Sequence, residues 1–422
     1  HYPLRRQRQM CIRDRFMTTK NIIRKGKRAW GILSRIAFAI MFTLCLNSCR
    51  DSDEDDRAIN NRALADHSTL IYIVADNNLS DYGKDSFERI QKAYYNAPNK
   101  KDGNIFVYLD NHDELPALYW LDPEYGITQI SNYQEQNSVS PSVIRHVCTQ
   151  AFNSGRRTNS VNSVIFWSHG TNWFPAPDNK GSRSFGKDNA DEINIPEMAA
   201  ALKGLSINNL MFDACLMGSV EVAAEFAGIA DVLVASPAEI LTTSFPYHTI
   251  IPALCTPNPD MHKIVDLYYA YYNSLSEQYK SGILTAVELS GINKLAEEFG
   301  RLKAASYSDA HLPSITAMTY DRENVHLFFD LKQFARMCHD KIAADDEQKA
   351  ENLHDNFLKA YNACKVYTRH TDRFMSINLR GACGLSVYVP GPSIVSGLDE
   401  YYQNLAWYKS VSYTHLTLPT KR

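Results

Sequence analysis

The 422-residue sequence contains no GxGxxG, no GxxxxGK(S/T) and no GxSxG segment, so dinucleotide binding, P-loop phosphoryl chemistry and a nucleophile-elbow serine hydrolase all lose their usual anchors. CxxC pairs and HExxH helices are missing too, which removes the common zinc patterns. Nine cysteines in so long a chain are too few for a disulfide-dense scaffold. There is no excess charge of one sign: 44 basic residues oppose 47 acidic ones, a formal net charge of −3, and no nucleic-acid partner is expected. Apolar residues are plentiful at 45%, enough to bury a large globular core.

Both ends read differently from the body. Residues 1–16 precede a start at Met17, and 410–422 resemble translated adapter sequence; neither is expected to belong to the fold. From Met17 a basic stretch with Lys20, Arg24, Lys25, Lys27, Arg28 and Arg35 leads into the apolar run Ile36–Leu46. That run is much shorter than the ~20 residues a bilayer-spanning helix needs, and the grammar over 17–48 is that of an export signal. Leu46-Asn47-Ser48-Cys49 resembles a bacterial lipobox, which implies that Cys49 is acylated and tethers the mature chain to a membrane surface. The competing reading is an ordinary secretory signal in which Cys49 has no such role. Within 49–66, Asp51-Ser52-Asp53-Glu54-Asp55-Asp56 reads as a solvated tether and resembles the acidic signal that sends lipoproteins to the outer face of Gram-negative cells. The expected location is the bacterial outer membrane or cell surface.

Over 67–409, short β-branched or aromatic runs alternate with helical periodicity, which predicts one α/β domain. Strands are expected at Thr69–Ala75, Asn104–Leu109, Ser163–Ser168, Asn209–Asp213, Val232–Ser236, Ile283–Glu288 and Gly384–Val389, with a hairpin at Ala117–Leu121 and Gly126–Ile130. Helices are expected near Leu79–Tyr95, Pro141–Ser154, Pro196–Leu205, Ser219–Phe226, Met261–Tyr279, Gly291–Ser306, Leu327–Asp340, Gln348–Cys364 and Leu398–Trp407. Thr171–Glu192 reads as one long polar loop, and loops of that length are uncommon unless functional.

Two reactive side chains stand immediately after apolar strands, in Trp167-Ser168-His169-Gly170 and Phe212-Asp213-Ala214-Cys215-Leu216-Met217-Gly218. Ser163–Cys215 reads strand, loop, helix, strand, a crossover that makes the strands parallel and puts His169 and Cys215 at one sheet edge. Open α/β sheets bind ligands at that edge. Imidazole beside a thiol is a base beside a nucleophile. The N–H groups of Gly170 and Cys215 are candidates to hold an oxyanion. Asp213 has two readings: it polarises or orients the site, or it is a buried hydrogen-bonding acid. Taken singly, a cysteine after a strand is by default a core residue and a histidine before glycine a turn residue; their coincidence at one edge favours catalysis. Cys148, Cys255, Cys338, Cys364 and Cys383 have no histidine at a paired strand end, and core packing is expected for each.

Ser168-His169-Gly170 and Asp213-Ala214-Cys215-Leu216-Met217 resemble the His and Cys motifs of the clostripain-like (C11) cysteine peptidases, relatives of caspases and gingipains. The similarity continues through Leu70–Asp76, Phe185-Gly186-Lys187-Asp188, Ile195–Leu202, Pro246-Tyr247, Leu284–Leu289 and Gly384–Pro390 to Leu405-Ala406-Trp407-Tyr408. It implies a caspase-like α/β/α sandwich with a mostly parallel central sheet. It also implies a Cys215 nucleophile, a His169 general base and acid, and hydrolysis of polypeptides through an acyl-enzyme. Members that cleave after Arg or Lys carry an acid where Thr243 stands here, and a hydroxyl cannot neutralise a basic P1 side chain. Unless Glu239 substitutes, a smaller or neutral P1 residue is implied. In the family, cleavage of a loop near the one bearing Lys180, Arg183 and Lys187 can accompany activation, but self-processing here would need the basic specificity that Thr243 puts in question. Two readings stand for Asp178, Asp188, Asp191 and Glu192 in that loop, ordinary solvation or contact with Ca²⁺; no other cofactor is expected.

The leading expectation is an exported, lipid-anchored cysteine endopeptidase. A surface lipoprotein that binds peptide or glycan without turnover is the alternative, and a thiol hydrolase of non-peptide amides a third.

Overall fold

The computed structural model describes residues 65–154, 156–175, 184–307, 315–322, 326–390 and 397–416; Cys49, the export signal, the acidic tether, Asp178, Lys180 and Arg183 lie outside them. Twelve strands carry the architecture: β1 (Ala65–Ala75), β2 (Asn104–Asn111), β3 (Glu114–Asp122), β4 (Gly126–Asn132), β5 (Arg156–Trp167), β6 (Phe185–Asp188), β7 (Asp191–Ile193), β8 (Asn209–Asp213), β9 (Val232–Ala235), β10 (Ile283–Glu288), β11 (Phe328–Asp330) and β12 (Tyr367–His370). Nine of them form one sheet in the order β12-β10-β9-β8-β5-β1-β2-β3-β4. The five inner strands, β9 through β2, are mutually parallel, and antiparallel strands extend the sheet on both sides.

Helices α1 (Ser80–Asn96), α2 (Pro141–Ser154), α3 (Ile195–Leu202), α4 (Val220–Glu225), α5 (Tyr247–Leu254), α6 (Met261–Ser274), α7 (Ile292–Ser306), α8 (Leu331–Ala343), α9 (Glu347–Ala363), α10 (Leu398–Tyr402) and α11 (Ala406–Leu416) cover both faces. Because side chains alternate along a strand, Leu70, Tyr72 and Val74 of β1 pack into one core with α2, α3, α4 and α7, while Ile71, Ile73 and Ala75 pack into another with α1, α5 and α6. Burial on both faces is why the inner strands read as continuous apolar runs. This is the expected α/β/α sandwich.

Four expectations need revision. The second half of the predicted loop Thr171–Glu192 is the β6–β7 hairpin, in which buried Phe185 pairs with Ile193 and packs edge-on against Phe166. Helix α5 was not expected because Pro252 lies inside it and Pro246 precedes it; Ile250, Ile251 and Leu254 hold it against the sheet. Phe328–Asp330, expected as helix, pairs as a strand with Ser386–Tyr388 before α8 begins. Finally, α11 runs through Ser410–Leu416, and Val411 is buried.

His67 ties the start of the sheet to the helical layer: its Nδ1 donates to the Leu254 carbonyl at 2.8 Å and its Nε2 accepts from the Ser163 hydroxyl at 2.9 Å. Burial pushes this imidazole down to about 4 from 6.5, so it stays neutral in the folded chain while the unfolded chain takes up a proton. The stability tied to His67 is therefore complete above pH 6.5 and declines as the pH falls towards 4, by about 3 kcal/mol. Denaturant midpoints measured from pH 8 to pH 4 should fall more steeply for the native protein than for His67→Gln; parallel curves would contradict this account.

Candidate active site

Strands β5 and β8 pair in parallel with Trp167 opposite Asp213, and each chain runs two residues further to a reactive side chain, His169 and Cys215. Parallel pairing delivers both to the carboxyl edge of the sheet. The two exits touch: a Cβ on Gly170 would stand 2.6 Å from the Cys215 carbonyl oxygen and 3.1 Å from Ala214 Cβ. Only glycine permits that approach.

A tight turn carries Cys215 from β8 towards α4. Leu216 adopts φ +64° and its N–H donates to the Ala238 carbonyl at 2.8 Å, while the Gly218 N–H donates to Ser236 at 2.8 Å. The Ser219 hydroxyl then caps α4 by accepting from the Val222 N–H at 3.1 Å. Cys215 is half-buried, and its Sγ accepts from the Ile240 N–H at 3.3 Å. The same sulfur also donates to the Ile240 carbonyl at 3.7 Å, so both polar groups of that residue meet the thiol.

The imidazole of His169 meets an amide from the β1 exit. Its Nε2 lies 3.0 Å from Asn78 Oδ1, so the proton sits on Nε2 and the basic lone pair on Nδ1. The His169 carbonyl accepts from the Gly186 N–H at 2.9 Å, and the Ser168 hydroxyl donates to the Val74 carbonyl at 2.8 Å.

Of the two readings of Asp213, the structure matches the buried acid. Its Oδ2 accepts from the Ser244 hydroxyl, from the Phe245 N–H at 3.0 Å and from the Tyr247 hydroxyl at 2.8 Å. The indole of Trp167, its register partner, donates to the same Ser244 hydroxyl at 2.8 Å. Burial pushes this carboxyl up, and those hydrogen bonds together with the Arg89 charge pull it back. Asp213 thus fastens the segment after β9 beside the site.

That segment reaches the thiol at Ile240 and carries both specificity candidates. The Thr243 hydroxyl shares a 2.9 Å hydrogen bond with the Tyr272 hydroxyl, and the Thr243 carbonyl accepts from Arg89 at 2.8 Å. Glu239 is ion-paired with Arg322, which matches its charge. Burial pushes the thiols of Cys148, Cys255 and Cys364 up to about 12 and that of Cys338 up to about 11, as inert core cysteines require. Of the acids of the 171–192 segment, Asp188 groups with Asp76 and Glu135, whereas Asp191 accepts from Asn137 at 2.7 Å.

The sequence profile of Peptidase C11, the clostripain family, matches residues 71–416. The chain belongs to the clostripain family. Solved structures agree: an inactive zymogen C11 protease from Parabacteroides distasonis is 26% identical with a TM-score of 0.69, covering 83% of this chain and 99% of that one. A secreted C11 cysteine protease from Bacteroides thetaiotaomicron, in complex with an irreversible peptide inhibitor, shares the fold at 24% identity with a TM-score of 0.68 over the same shares. A further secreted C11 protease of that organism, iotapain, shares it at 18% identity with a TM-score of 0.70, covering 83% of this chain and all of that one. No curated protein sequence matches significantly. This clostripain-family chain is a cysteine-type peptidase with a caspase-like α/β fold.

Two contributors escaped the sequence reading. Asn78 had a signal, the polar Asp76-Asn77-Asn78 following an apolar strand at the same sheet edge. The Ile240 N–H had none, since a backbone donor 25 residues from the thiol leaves no mark in side-chain type. Gly170→Ala would drive a methyl into the Cys215 carbonyl, and kcat/KM for peptide cleavage should fall about 100-fold in a protein that still folds but melts at a lower temperature. Unchanged activity would mean the two strand exits are not held in contact.

Proposed function

We propose that this peptidase is an exported, lipid-anchored endopeptidase in which Cys215 attacks the scissile carbonyl and His169 serves as base and then acid. Nδ1 of His169 takes the Sγ proton, sulfur adds to the carbonyl carbon, and the N–H groups of Gly170 and Cys215 receive the oxyanion. The imidazolium returns its proton to the leaving amine. Water, deprotonated by the same nitrogen, then releases the acyl group from sulfur. The single observation that carries this reading is the seating of Gly170 on the Cys215 carbonyl at two register-paired strand ends.

Export rests on the signal grammar of 17–48, and anchoring on Leu46-Asn47-Ser48-Cys49. No described helix is long and apolar enough to cross a membrane; in this reading the lipid on Cys49 provides the attachment. The inhibited protease from Bacteroides thetaiotaomicron is itself secreted and takes a peptide-based inhibitor, which fits the same substrate class. On specificity, Thr243 offers a hydroxyl where basic-specific relatives carry an acid, and Glu239 is already paired with Arg322. A small or neutral P1 residue suits such a surface.

Cleavage profiling with a peptide library should show turnover after uncharged residues that vanishes in Cys215→Ala. Turnover surviving that substitution would remove Cys215 from the mechanism, and cuts confined to Arg and Lys would overturn the specificity. A new carboxylate in Thr243→Asp should raise kcat/KM for an Arg-P1 peptide about tenfold or more. An unchanged Arg-to-Ala preference would place the P1 pocket elsewhere.

A further inference from the structure

The turn between α8 and α9 gathers an imidazole and three carboxylates, and the reaction uses none of them. His339, near the end of α8, is only 2% exposed, and both of its ring nitrogens face carboxylate oxygens. Nδ1 stands 2.9 Å from Asp340 Oδ1, and Nε2 stands 3.3 Å from Glu351 Oε1. Glu347 and Glu351 are exposed and lie one helical turn apart at the start of α9, so they share a face. His339, Glu347 and Glu351 each offer one ligand atom, and these atoms lie within 4.8 Å of one another. The turn is fixed independently of them: the Asp346 N–H donates to the Ile342 carbonyl at 2.9 Å, and the Asp346 carboxylate accepts from the Lys349 N–H at 3.0 Å.

Counting protons shows what this arrangement lacks. A neutral imidazole has one N–H and one lone pair, and an ionised carboxylate can only accept. The shorter contact assigns the proton to Nδ1, which donates to Asp340, and leaves the Nε2 lone pair aimed at a Glu351 oxygen. A second ring proton would draw Glu351 to the roughly 2.7–2.9 Å of a charge-assisted hydrogen bond, and the observed 3.3 Å is longer. Zinc with four ligands about 2.1 Å away holds them roughly 3.4 Å from one another, close to that separation. Other positive charge is not at hand. Among the described residues neither Glu347 nor Glu351 pairs with a lysine or arginine, and Arg336 is engaged with Asp340 at 2.8 Å. The ring of His354 packs 5.1 Å from that of His339, but burial, and after it the nearby His339 and Arg336, push its imidazole down, so it stays neutral at pH 7.

We propose that His339 Nε2, Glu347 and Glu351 form a zinc site, completed by water, that staples α8 to α9. Asp340 then acts as the carboxylate that orients a zinc-bound histidine through its other nitrogen. A nitrogen donor beside two carboxylates suits zinc, whereas calcium and magnesium take oxygen ligands. Because the ligands meet only once the two helices have packed, the metal binds the folded chain and stabilises it. Such a site is invisible to a motif search, since its histidine and its glutamates stand on different helices. It stands apart from the roles proposed above for Cys215 and His169.

The test uses the full-length Cys215→Ala protein, which removes the reactive thiol as a competing ligand. Calorimetric titration with ZnCl₂ should show binding, and zinc should raise the melting temperature. Glu351→Gln in the same background should weaken this zinc at least about tenfold and abolish the melting shift, and Asp340→Asn should weaken it about tenfold by releasing the ring. Both positions are exposed, so these variants fold whatever becomes of a substitution at buried His339. Cobalt(II) in place of zinc should give visible absorption that Glu351→Gln removes. Absence of zinc binding would show that the ring and its carboxylates hold together without a metal and would overturn the site. Affinity and melting shift unaltered by Glu351→Gln would put the metal elsewhere and overturn it equally.

Discussion

One parallel register, Trp167 of β5 opposite Asp213 of β8, governs the rest of this structure. Each strand continues two residues past that pair, so the register sets how far His169 and Cys215 project from the sheet. A one-residue slip would turn either side chain to the opposite face. The register is secured from both sides of the sheet. Ile165 and Met211 are buried in one core, and Phe166 stacks on Phe212 in the other. A packed sheet interior of this kind leaves little freedom at its edge, which suits a site whose groups must meet with ångström tolerance.

Polar groups around that edge divide by how completely they are satisfied. Asp213 is buried but accepts three hydrogen bonds, and so it ties the 244–247 segment to the sheet. Through that tie the Ile240 N–H is brought to the Cys215 sulfur. Asp110 is buried without such bonds, and burial pushes it up to about 7, with the nearby acids adding to the rise. The same residue type thus meets two different environments on β8 and β2, strands of the parallel core separated by β5 and β1. One anchors a loop, and the other has neither oxygen in hydrogen-bond geometry with a partner.

Much of the fold was legible in the sequence because the inner strands are buried on both faces. Continuous apolar runs such as Asn209–Asp213 and Ile283–Glu288 are hard to mistake, and both match the observed strands end to end. Errors fell where tertiary contacts outweigh local preference. The β6–β7 hairpin is short and polar apart from Phe185 and Ile193, so its periodicity is too brief to detect. Helix α5 carries an internal proline that propensity counts as a breaker, yet its apolar side fills the space beside α1 and α6. Within the site, His169, Gly170 and Cys215 were readable because reactive side chains directly follow apolar strands. Asn78 and the Ile240 N–H became visible only through the contacts they make.

By itself the sequence determined the alternation of strand and helix, the parallel relation of β5 and β8 through their crossover, and the two reactive residues at one edge. These follow from hydrophobic periodicity and from the handedness of short connections, both of which are local. Only the tertiary structure decided which way Asp213 turns, that Glu239 is matched by Arg322, and that Asp76, Glu135 and Asp188 come together from three distant segments. Hydrogen bonds and charge pairing act over a few ångströms between residues far apart in the chain, and a linear pattern holds no record of those distances.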